Sequence, residues 1–465
     1  MGRNHPESLD RVRSSISGMA WPAVPAAGAA NLLALQFQLE QTQWWAPERL
    51  RDSQRGQLTP LLAHAFESVP FYRDRLGAAG FRAGEAIRDD WFAALPSLSR
   101  ADVHTQGEAL HSRAVPAAHG RVARGRTSGS TGTPIAYLTT DLTQLFWQAF
   151  NLRDHLWHRR DLRLKLATIR PDRGSRDPGG ISLPHWAAAV AMAVENGPSA
   201  ILHSANTLDR QVEWLLEQEP DYLLTLASNL LELAREIRRR DIRFPRLREA
   251  RTFGDALRSE ARAECAELLG VKVVDMYTAQ ETGYLALQCP EHNHYHVQCE
   301  NAIVEIVDER GRACAAGQVG KVLVTTLHNF AMPLIRYEIG DYAEAGAPCP
   351  CGRGLPVIRR VLGRERNLAL TPEGRKYYPS FAADVWSQIA PIRQIQLVQK
   401  TPRHIEVRIA AARGLGAGEE SKLAAALERS LGHPYEFTFR YLESIPRAAS
   451  GKYEDFVCEA AASGT

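Results

Sequence analysis

Short apolar runs alternate with amphipathic segments through the middle of the chain. The runs at 164–169, 222–226 and 271–276 predict strands, because they are short and rich in apolar residues. The segments 208–217 and 229–240 repeat apolar residues at helical spacing, which predicts helices. Strands that alternate with helices are typical of layered α/β proteins. We therefore predict an α/β fold with layered sheets for the larger part of the chain.

The segments on either side of this region have a different character. The start of the chain is rich in alanine and proline up to a predicted helix at 32–43. The segment 58–76 has apolar residues at helical spacing, and Pro70 predicts a break in it. Between 302 and 326 the pattern favours strands, with a hairpin predicted around 309–311.

The C-terminal part of the chain has a pattern of its own. We predict one helix at 419–431 and three strands, at 392–400, 405–410 and 436–441, which together make a compact α+β unit. The chain is therefore divided into three predicted regions, namely an N-terminal extension with a lead-in helix at 1–55, a large domain at 56–363 and a small domain at 364–465.

Composition and charge exclude several classes of protein. The 465 residues are 45% hydrophobic and 23% charged, as in ordinary globular proteins. The 56 basic and 53 acidic residues give a formal net charge of only +3, which disfavours a nucleic-acid-binding role. No apolar run approaches the ~20 residues that a membrane span needs. The 7 cysteines are sparse and odd in number, which favours a reducing compartment and a cytoplasmic location.

A dense cluster of small residues at 126–134 is the first candidate for a functional site. It combines hydroxyl side chains with two glycines, which let backbone N–H groups point into a concavity that suits a phosphate. It is not a Walker loop, because the Gly-Lys-Ser/Thr ending is missing. From the residues alone, a flexible Ser/Gly loop remains an equal alternative.

Cysteine and histidine cluster in a second place. Cys289 is followed by His292, His294 and His296, and the pair Cys349 and Cys351 comes later in the chain. Thiolate and imidazole ligands in a tetrahedral set indicate zinc, and four protein ligands would make the site structural. Buried free cysteines beside a histidine-rich turn are the alternative. The spacing alone leaves open which histidine would be the ligand.

The sequence Ser-Gly-Ser-Thr-Gly-Thr-Pro at 128–134 resembles the phosphate loop of the adenylate-forming superfamily, which includes acyl-CoA synthetases, luciferases and peptide-synthetase adenylation domains. Its other motifs follow in order: an adenine-side turn at 253–256, D-x-Y-x-x-x-E at 275–281, R-Y-x-x-G-D at 336–341, a hinge at 363–364 and a lysine loop at 446–452. Beyond residue 55 the chain resembles in particular the phenylacetate–CoA ligases and their capsule-associated relatives. This implies a large adenylating domain and a C-terminal domain that acts as a mobile lid.

The resemblance implies an AMP-forming ligase in which a carboxylate attacks the α-phosphorus of ATP and pyrophosphate leaves. It implies that the β- and γ-phosphates are held by Thr127, Ser128, Gly129, Ser130, Thr131, Gly132 and Thr133. The adenine would be flanked by Gly254, Asp255, Ala256, Tyr277 and Thr278. It further implies Asp341 as the acceptor of the ribose hydroxyls, Glu281 as a magnesium ligand and a catalytic residue, and Arg364 and Lys452 as catalytic residues beside the phosphates.

The same resemblance extends to the zinc ligands and the acid pocket. Some members of the branch have a ligand pattern that maps onto Cys289, His296, Cys349 and Cys351. The branch favours an aromatic acid, and we expect its pocket among His185, Trp186, Ser228, Asn229, Gly283 and Tyr284, with Trp147 and Phe150 from the preceding helix.

Because of three departures from the family pattern, the resemblance does not decide which nucleophile accepts the acyl group. Thr278 stands where the motif has glycine, and Glu365-Arg366 stands where typical CoA ligases have an acidic pair. The segment 370–379 resembles the capsule-associated relatives more than the phenylacetate–CoA ligases. The acceptor can therefore be CoA, an amine or a carrier protein, and a homodimer stays open. A non-catalytic nucleotide-binding homologue is the remaining alternative.

Overall fold

The computed structural model describes residues 12–127, 134–171, 177–186, 188–373, 375–379, 386, 389–445 and 453–460, without the side chains of 188 and 189. The chain divides into two compact units. The large unit comprises Met1–Leu257 and Arg262–Val361, and the small unit comprises Arg258–Ala261 and Leu362–Thr465. The predicted boundary at 364 lies close to this division, whereas residues 12–55 belong to the large unit.

The helices of the described residues are α1 (Ala27–Thr42), α2 (Pro47–Ser68), α3 (Pro70–Ala78), α4 (Asp89–Ala94), α5 (Arg100–Gln106), α6 (Asp141–Trp157), α7 (Ala188–Ala193), α8 (Leu208–Gln218), α9 (Ala227–Arg239), α10 (Ser259–Leu269) and α11 (Ala417–Leu431). Short 3-10 turns lie at Gly107–Leu110, Ala117–His119 and Glu365–Asn367.

The first ten strands are β1 (Val122–Arg126), β2 (Ala136–Thr140), β3 (Leu166–Arg170), β4 (Ile181–Leu183), β5 (Ser199–His203), β6 (Tyr222–Leu226), β7 (Glu249–Phe253), β8 (Lys272–Ala279), β9 (Gly283–Gln288) and β10 (Tyr295–Val297). The remaining strands are β11 (Ala302–Val307), β12 (Val319–Thr326), β13 (Tyr337–Ala345), β14 (Val357–Arg364), β15 (Ala369–Leu370), β16 (Lys376–Tyr377), β17 (Ile392–Thr401), β18 (His404–Ala411), β19 (Glu436–Tyr441) and β20 (Phe456–Cys458).

A twelve-stranded sheet in the order β11-β12-β13-β14-β10-β9-β8-β7-β6-β3-β5-β4 forms the centre of the large unit. The strands from β8 to β5 run parallel, and helices such as α8 and α9 connect them. The pairings β8–β9, β9–β10 and β11–β12 are antiparallel. This mixed, layered architecture confirms the predicted α/β fold class.

Helix α9 shows why the central elements could be predicted. Its buried residues Leu230, Leu233, Ala234 and Ile237 recur at helical spacing, so one face packs on the sheet while arginines cover the other. The helix begins two residues before its predicted start, which is a normal error for an element boundary.

Residues 308–312 form the predicted turn, and β11 and β12 on either side of it pair as an antiparallel hairpin. The connection between the two strands is long, because β12 begins only at Val319, and Val307 forms a bridge with Ala313 within it. The helices before and after Pro70 are separate as predicted, although α2 begins eleven residues earlier than expected, with Pro47 in its first turn.

The small unit has a four-stranded sheet in the order β19-β18-β17-β20, packed against α11. Leu423 and Leu427 of the helix and Ile405, Val407 and Phe456 of the strands are fully buried in its core. Strand β20 was not predicted, because three residues are too short to show a periodicity. Among the described residues, no helix has both the length and the apolar character needed to cross a membrane.

His328 in the large unit makes the fold sensitive to acid. Its ring stacks on Phe146 with centroids 3.9 Å apart, and Nε2 donates to the Glu300 carbonyl at 2.8 Å. Burial lowers the pKa of His328 to about 4. Between its unfolded value of about 6.5 and this folded value, the unfolded chain takes up a proton that the folded chain excludes, so stability is lost as the pH falls.

We predict that His328→Gln removes part of this acid sensitivity. Between pH 7 and pH 5 the histidine should account for about 2 kcal/mol of the loss in unfolding free energy. Urea denaturation followed by tryptophan fluorescence at both pH values measures it, with His404→Gln in the small unit as the control. An equal loss in wild type and His328→Gln would contradict the prediction.

Candidate active site and metal cluster

The two motifs expected to hold the nucleoside meet through one hydrogen bond. Tyr277 at the end of β8 donates its hydroxyl to Asp341 Oδ2 on β13 at 2.8 Å. Three strands separate β8 from β13 in the sheet, so the antiparallel part must curl to bring the two side chains together. Both side chains are mostly buried, with Asp341 only 9% exposed. The contact orients the carboxylate at the edge where the ribose is expected.

Glu281 lies in a largely buried environment that includes two tyrosines. Its carboxylate accepts a hydrogen bond from the hydroxyl of Tyr337 at 3.4 Å. Burial and the charge of Glu281 raise the pKa of the Tyr137 phenol on β2. The Tyr137 ring packs directly on Gly125, where an added Cβ would come within 2.4 Å of it. A side chain at position 125 would therefore displace the Tyr137 ring.

The predicted phosphate loop lies between the paired strands β1 and β2. Its base is closed by two hydrogen bonds of 2.9 Å, from Thr127 N to the Ile135 carbonyl and from Ile135 N to Thr127 Oγ1. Thr127 Oγ1 also accepts from Arg100 Nη2 at 3.3 Å. The predicted ligands Ser128, Gly129, Ser130, Thr131, Gly132 and Thr133 lie outside the described residues.

The adenine-side turn follows β7. The carboxylate of Asp255 accepts from the backbone N–H groups of Ala227 and Ser228 at 2.7 and 3.1 Å. These are the first residues of α9, so Asp255 caps the positive end of that helix. Its backbone, together with Gly254 and Ala256, remains the candidate contact for the adenine, while its side chain fixes the position of the turn.

Thr278, which replaces the motif glycine, lies where the pairing of β8 and β9 shifts by one residue. Its φ is not among the positive values of this backbone. A glycine is required only where φ is positive or the backbone is approached closely. The threonine therefore fits this backbone without strain.

The predicted acid-pocket residues fall into two groups, of which the first lies between α6 and β9. Tyr284 contacts Trp147 edge to face, with ring centroids 5.0 Å apart, and its hydroxyl accepts from Asn151 at 2.9 Å. A Cβ on Gly283 would lie 4.0 Å from the Trp147 ring. Burial raises the pKa of Tyr284 to about 12, so its phenol stays neutral. Phe150 packs beside Tyr284 with centroids 6.5 Å apart.

The residues of the second group form hydrogen bonds with the strands, helices and loops around them. Trp186 donates its indole N–H to the Leu164 carbonyl at 2.6 Å, and Ser199 donates to the carbonyl of His185, also at 2.6 Å. Asn229 is fully buried, and its amide donates to Gln211 and Thr225. Ser228 is half-buried beside it, with its backbone N–H on Asp255.

Of the two expected catalytic residues of the C-terminal region, Arg364 lies among the described residues. Arg364 ends β14 at the start of the small unit, where its backbone N–H donates to Asn367 Oδ1 at 3.1 Å. Lys452 lies outside the described residues. The next residue, Tyr453, donates its hydroxyl to the Ile395 carbonyl at 2.5 Å, so the end of the lysine loop is attached to β17.

The structure brings the four predicted metal ligands together. Cys289 Sγ lies 3.9 Å from Cys349 Sγ, and Cys351 Sγ lies 3.4 Å from His296 Nε2. All four donor atoms lie within 4.8 Å of one another. Sulfur ligands about 2.3 Å from a tetrahedral zinc ion would be about 3.8 Å apart, so this donor set fits zinc. His292 and His294 stack on each other outside the set.

The protonation of these ligands depends on burial. Burial raises the pKa of the Cys349 thiol to about 12, whereas burial and the nearby Arg353 lower the pKa of His296 to about 3. The imidazole is therefore neutral, as a metal ligand must be. A bound zinc ion would stabilise the thiolates and tie the β9–β10 turn to the loop before β14.

Arg353, next to the cluster, connects the cysteine loop to the residues between α1 and α2 and to the end of α6. Its guanidinium lies between the rings of Trp44 and Trp157, 4.7 and 4.6 Å from their centroids. Its Nε donates to Gln43 Oε1 at 2.9 Å. At Gly354 an added Cβ would lie 1.8 Å from the Trp45 carbonyl, so only glycine allows this close approach.

Two arginines near the nucleotide end were not identified from the sequence. Arg100 bridges Thr127 and Tyr337, and Arg336 forms a paired salt bridge with Glu305 at 3.0 and 3.1 Å. Arg336 belongs to the R-Y-x-x-G-D motif, but the motif does not indicate its salt bridge with Glu305. Arg100 lies outside every motif, and its only signal is a helix start at Ser99.

The chain is similar to known proteins in both sequence and fold. Residues 369–459 match the family described as the CapK C-terminal domain. A phenylacetate-coenzyme A ligase of Thermus thermophilus is 29% identical over 358 residues, which cover 72% of this chain and 74% of the relative. The corresponding ligase of Escherichia coli is 25% identical over 344 residues, 72% of this chain and 75% of the relative.

Solved structures show the same fold. A 2-hydroxyisobutyryl-CoA ligase in the postadenylation state aligns over 91% of this chain and 92% of its own, with a TM-score of 0.71 and 18% identity. The fold is that of the adenylate-forming enzymes. Together with the similarity in sequence to the phenylacetate–CoA ligases, it places the chain with the AMP-forming ligases of this kind. The family predicted from the motifs is confirmed.

We predict that the purified protein contains about one zinc ion per chain, held by the four-ligand cluster. Cys349→Ser should lose the metal and about 3 kcal/mol or more of unfolding free energy, as expected for a ligand present at a hundred times its Kd. Elemental analysis and thermal melting measure both quantities. Cys314→Ser, which changes a cysteine outside the cluster, should keep the metal; a wild-type content near zero would remove the proposal.

Proposed function

We propose that the chain activates a carboxylic acid with ATP as an acyl-adenylate, releases pyrophosphate and transfers the acyl group to CoA or another nucleophile. The observation that carries this proposal is the 2.8 Å hydrogen bond between Tyr277 and Asp341. It joins two motifs that are far apart in sequence and that both belong to the nucleoside site of the superfamily.

At the nucleoside end, Asp341 would accept the ribose hydroxyls. A carboxylate has two acceptor oxygens, and the bond from Tyr277 sets the orientation in which they face the ribose. The turn at Gly254, Asp255 and Ala256 would lie against the adenine, kept in place by the cap that Asp255 provides to α9.

At the phosphate end, Glu281 is the candidate magnesium ligand. It offers hard carboxylate oxygens, the ligand type that magnesium prefers, in a site that is only 6% exposed. Magnesium bound there would neutralise negative charge on the phosphates. Thr127 and its loop would hold the departing pyrophosphate, while Lys452 and Arg364 would stabilise the charge that develops around the α-phosphorus.

The acid would bind beside Trp147, Gly283 and Tyr284. Gly283 lies beside the Trp147 ring without a side chain of its own, and the Asn151 bond keeps the Tyr284 ring in one orientation. Two aromatic rings fixed edge to face favour a flat partner, so we propose an aromatic acid. Trp186 and Asn229 would support this pocket through the core rather than line it.

We predict that wild type catalyses exchange of labelled pyrophosphate into ATP only when a suitable carboxylic acid is present. Lys452→Ala should lower this exchange by about a hundredfold or more, because the lysine would act on the developing phosphate charge. A panel of aryl, arylacetic and short hydroxy acids tests the substrate class. If no acid supports exchange and the variant equals wild type, the enzymatic proposal fails.

An amine is the second candidate for the acyl acceptor. Glu365-Arg366 stands where typical CoA ligases have an acidic pair, and residues 369–459 match the CapK C-terminal domain. If the acceptor is an amine, amine products should outnumber CoA thioesters when both nucleophiles compete for the adenylate. Mass spectrometry of the products measures the ratio, and thioester as the main product would exclude this candidate.

A further inference from the structure

We propose that Arg100 is a positioning residue that keeps Thr127, at the base of the phosphate loop, and the candidate magnesium ligand Glu281 at a defined separation. It lies outside all superfamily motifs described above. The inference deepens the proposed function and rests on it, because it concerns the same ATP site.

The side chain of Arg100 contacts both parts of that site. Nη2 donates to Thr127 Oγ1 at 3.3 Å, and Nη1 donates to the Tyr337 hydroxyl at 3.5 Å. The same hydroxyl donates to Glu281 Oε1 at 3.4 Å. A continuous chain of hydrogen bonds therefore runs from the base of the phosphate loop through Arg100 and Tyr337 to Glu281.

The backbone around Arg100 is firmly supported. Leu98 bridges Tyr337, since its N–H donates to the Arg336 carbonyl at 3.0 Å and its carbonyl accepts from Glu338 N at 2.9 Å. Ser99 and Asp102 then form a reciprocal capping box that begins α5. Arg100 is thus placed at the start of a helix that is attached directly to β13.

The chemistry of arginine suits this role better than that of lysine. A planar guanidinium presents donors in two directions at once, whereas an ammonium is a single compact charge. The contacts of 3.3–3.5 Å are long for hydrogen bonds, and such contacts commonly shorten when a substrate is bound. The positive charge beside Thr127 also complements the negative charge of the triphosphate.

The test uses the full-length enzyme and the variants Arg100→Met, Arg100→Lys and Tyr337→Phe. The control Arg124→Met removes an exposed arginine from β1, on the same hairpin as Thr127. Two quantities are measured: the Mg²⁺ concentration for half-maximal pyrophosphate exchange, and the affinity for Mn²⁺ in the presence of ATP without acid. Thermal melting confirms that each variant is folded.

We expect Arg100→Met and Tyr337→Phe to weaken Mn²⁺ binding and raise the Mg²⁺ requirement about tenfold, the effect of losing one charge-assisted hydrogen bond. Arg100→Lys should recover only part of this loss. If folded Arg100→Met and Tyr337→Phe bind Mn²⁺ as the control does, the inference is wrong. If no acid supports pyrophosphate exchange by the wild type, the proposed function fails. The Mn²⁺ measurement still decides the role of Arg100.

Discussion

The attachment of residues 93–100 to strand β13 is the constraint on which the nucleotide end of the site depends. Arg336 holds it by donating its guanidinium to the carbonyls of Ala93 and Leu95 and pairing with Glu305. It does so with a φ of 49°, a left-handed value that is costly for arginine, while its N–H donates to Thr325 Oγ1. The strain is outweighed by these buried contacts, which fix Tyr337 and Arg100 side by side.

Much of the fold could be predicted, because its central elements follow a local pattern. Strand β6 and helix α8 lie almost where they were predicted, since β6 is a short apolar run buried on both faces and α8 buries one face. The turn between β11 and β12 could be predicted from its residues, but these residues do not show where the second strand begins. The register of β11 with β12 is set by the next apolar run, which is not a local property.

The site could be predicted only as far as its motifs extend. The four-ligand cluster and the contact between Tyr277 and Asp341 unite residues already selected for their chemistry. Arg100 could not be found in this way, because an arginine at a helix start is usually a solvated surface residue. For Trp186 and Asn229 the sequence does not distinguish a pocket residue from a core residue. Buried aromatic and amide side chains look alike in sequence in both places.

Thr278 shows how a sequence motif can be more restrictive than the backbone behind it. The one-residue shift between β8 and β9 provides the local bend without a left-handed residue, so a β-branched side chain is accommodated. A search pattern that insists on glycine at this position would pass over chains with the same bend. A pattern based on the spacing of Asp275, Tyr277 and Glu281, which carry the contacts, would retain them.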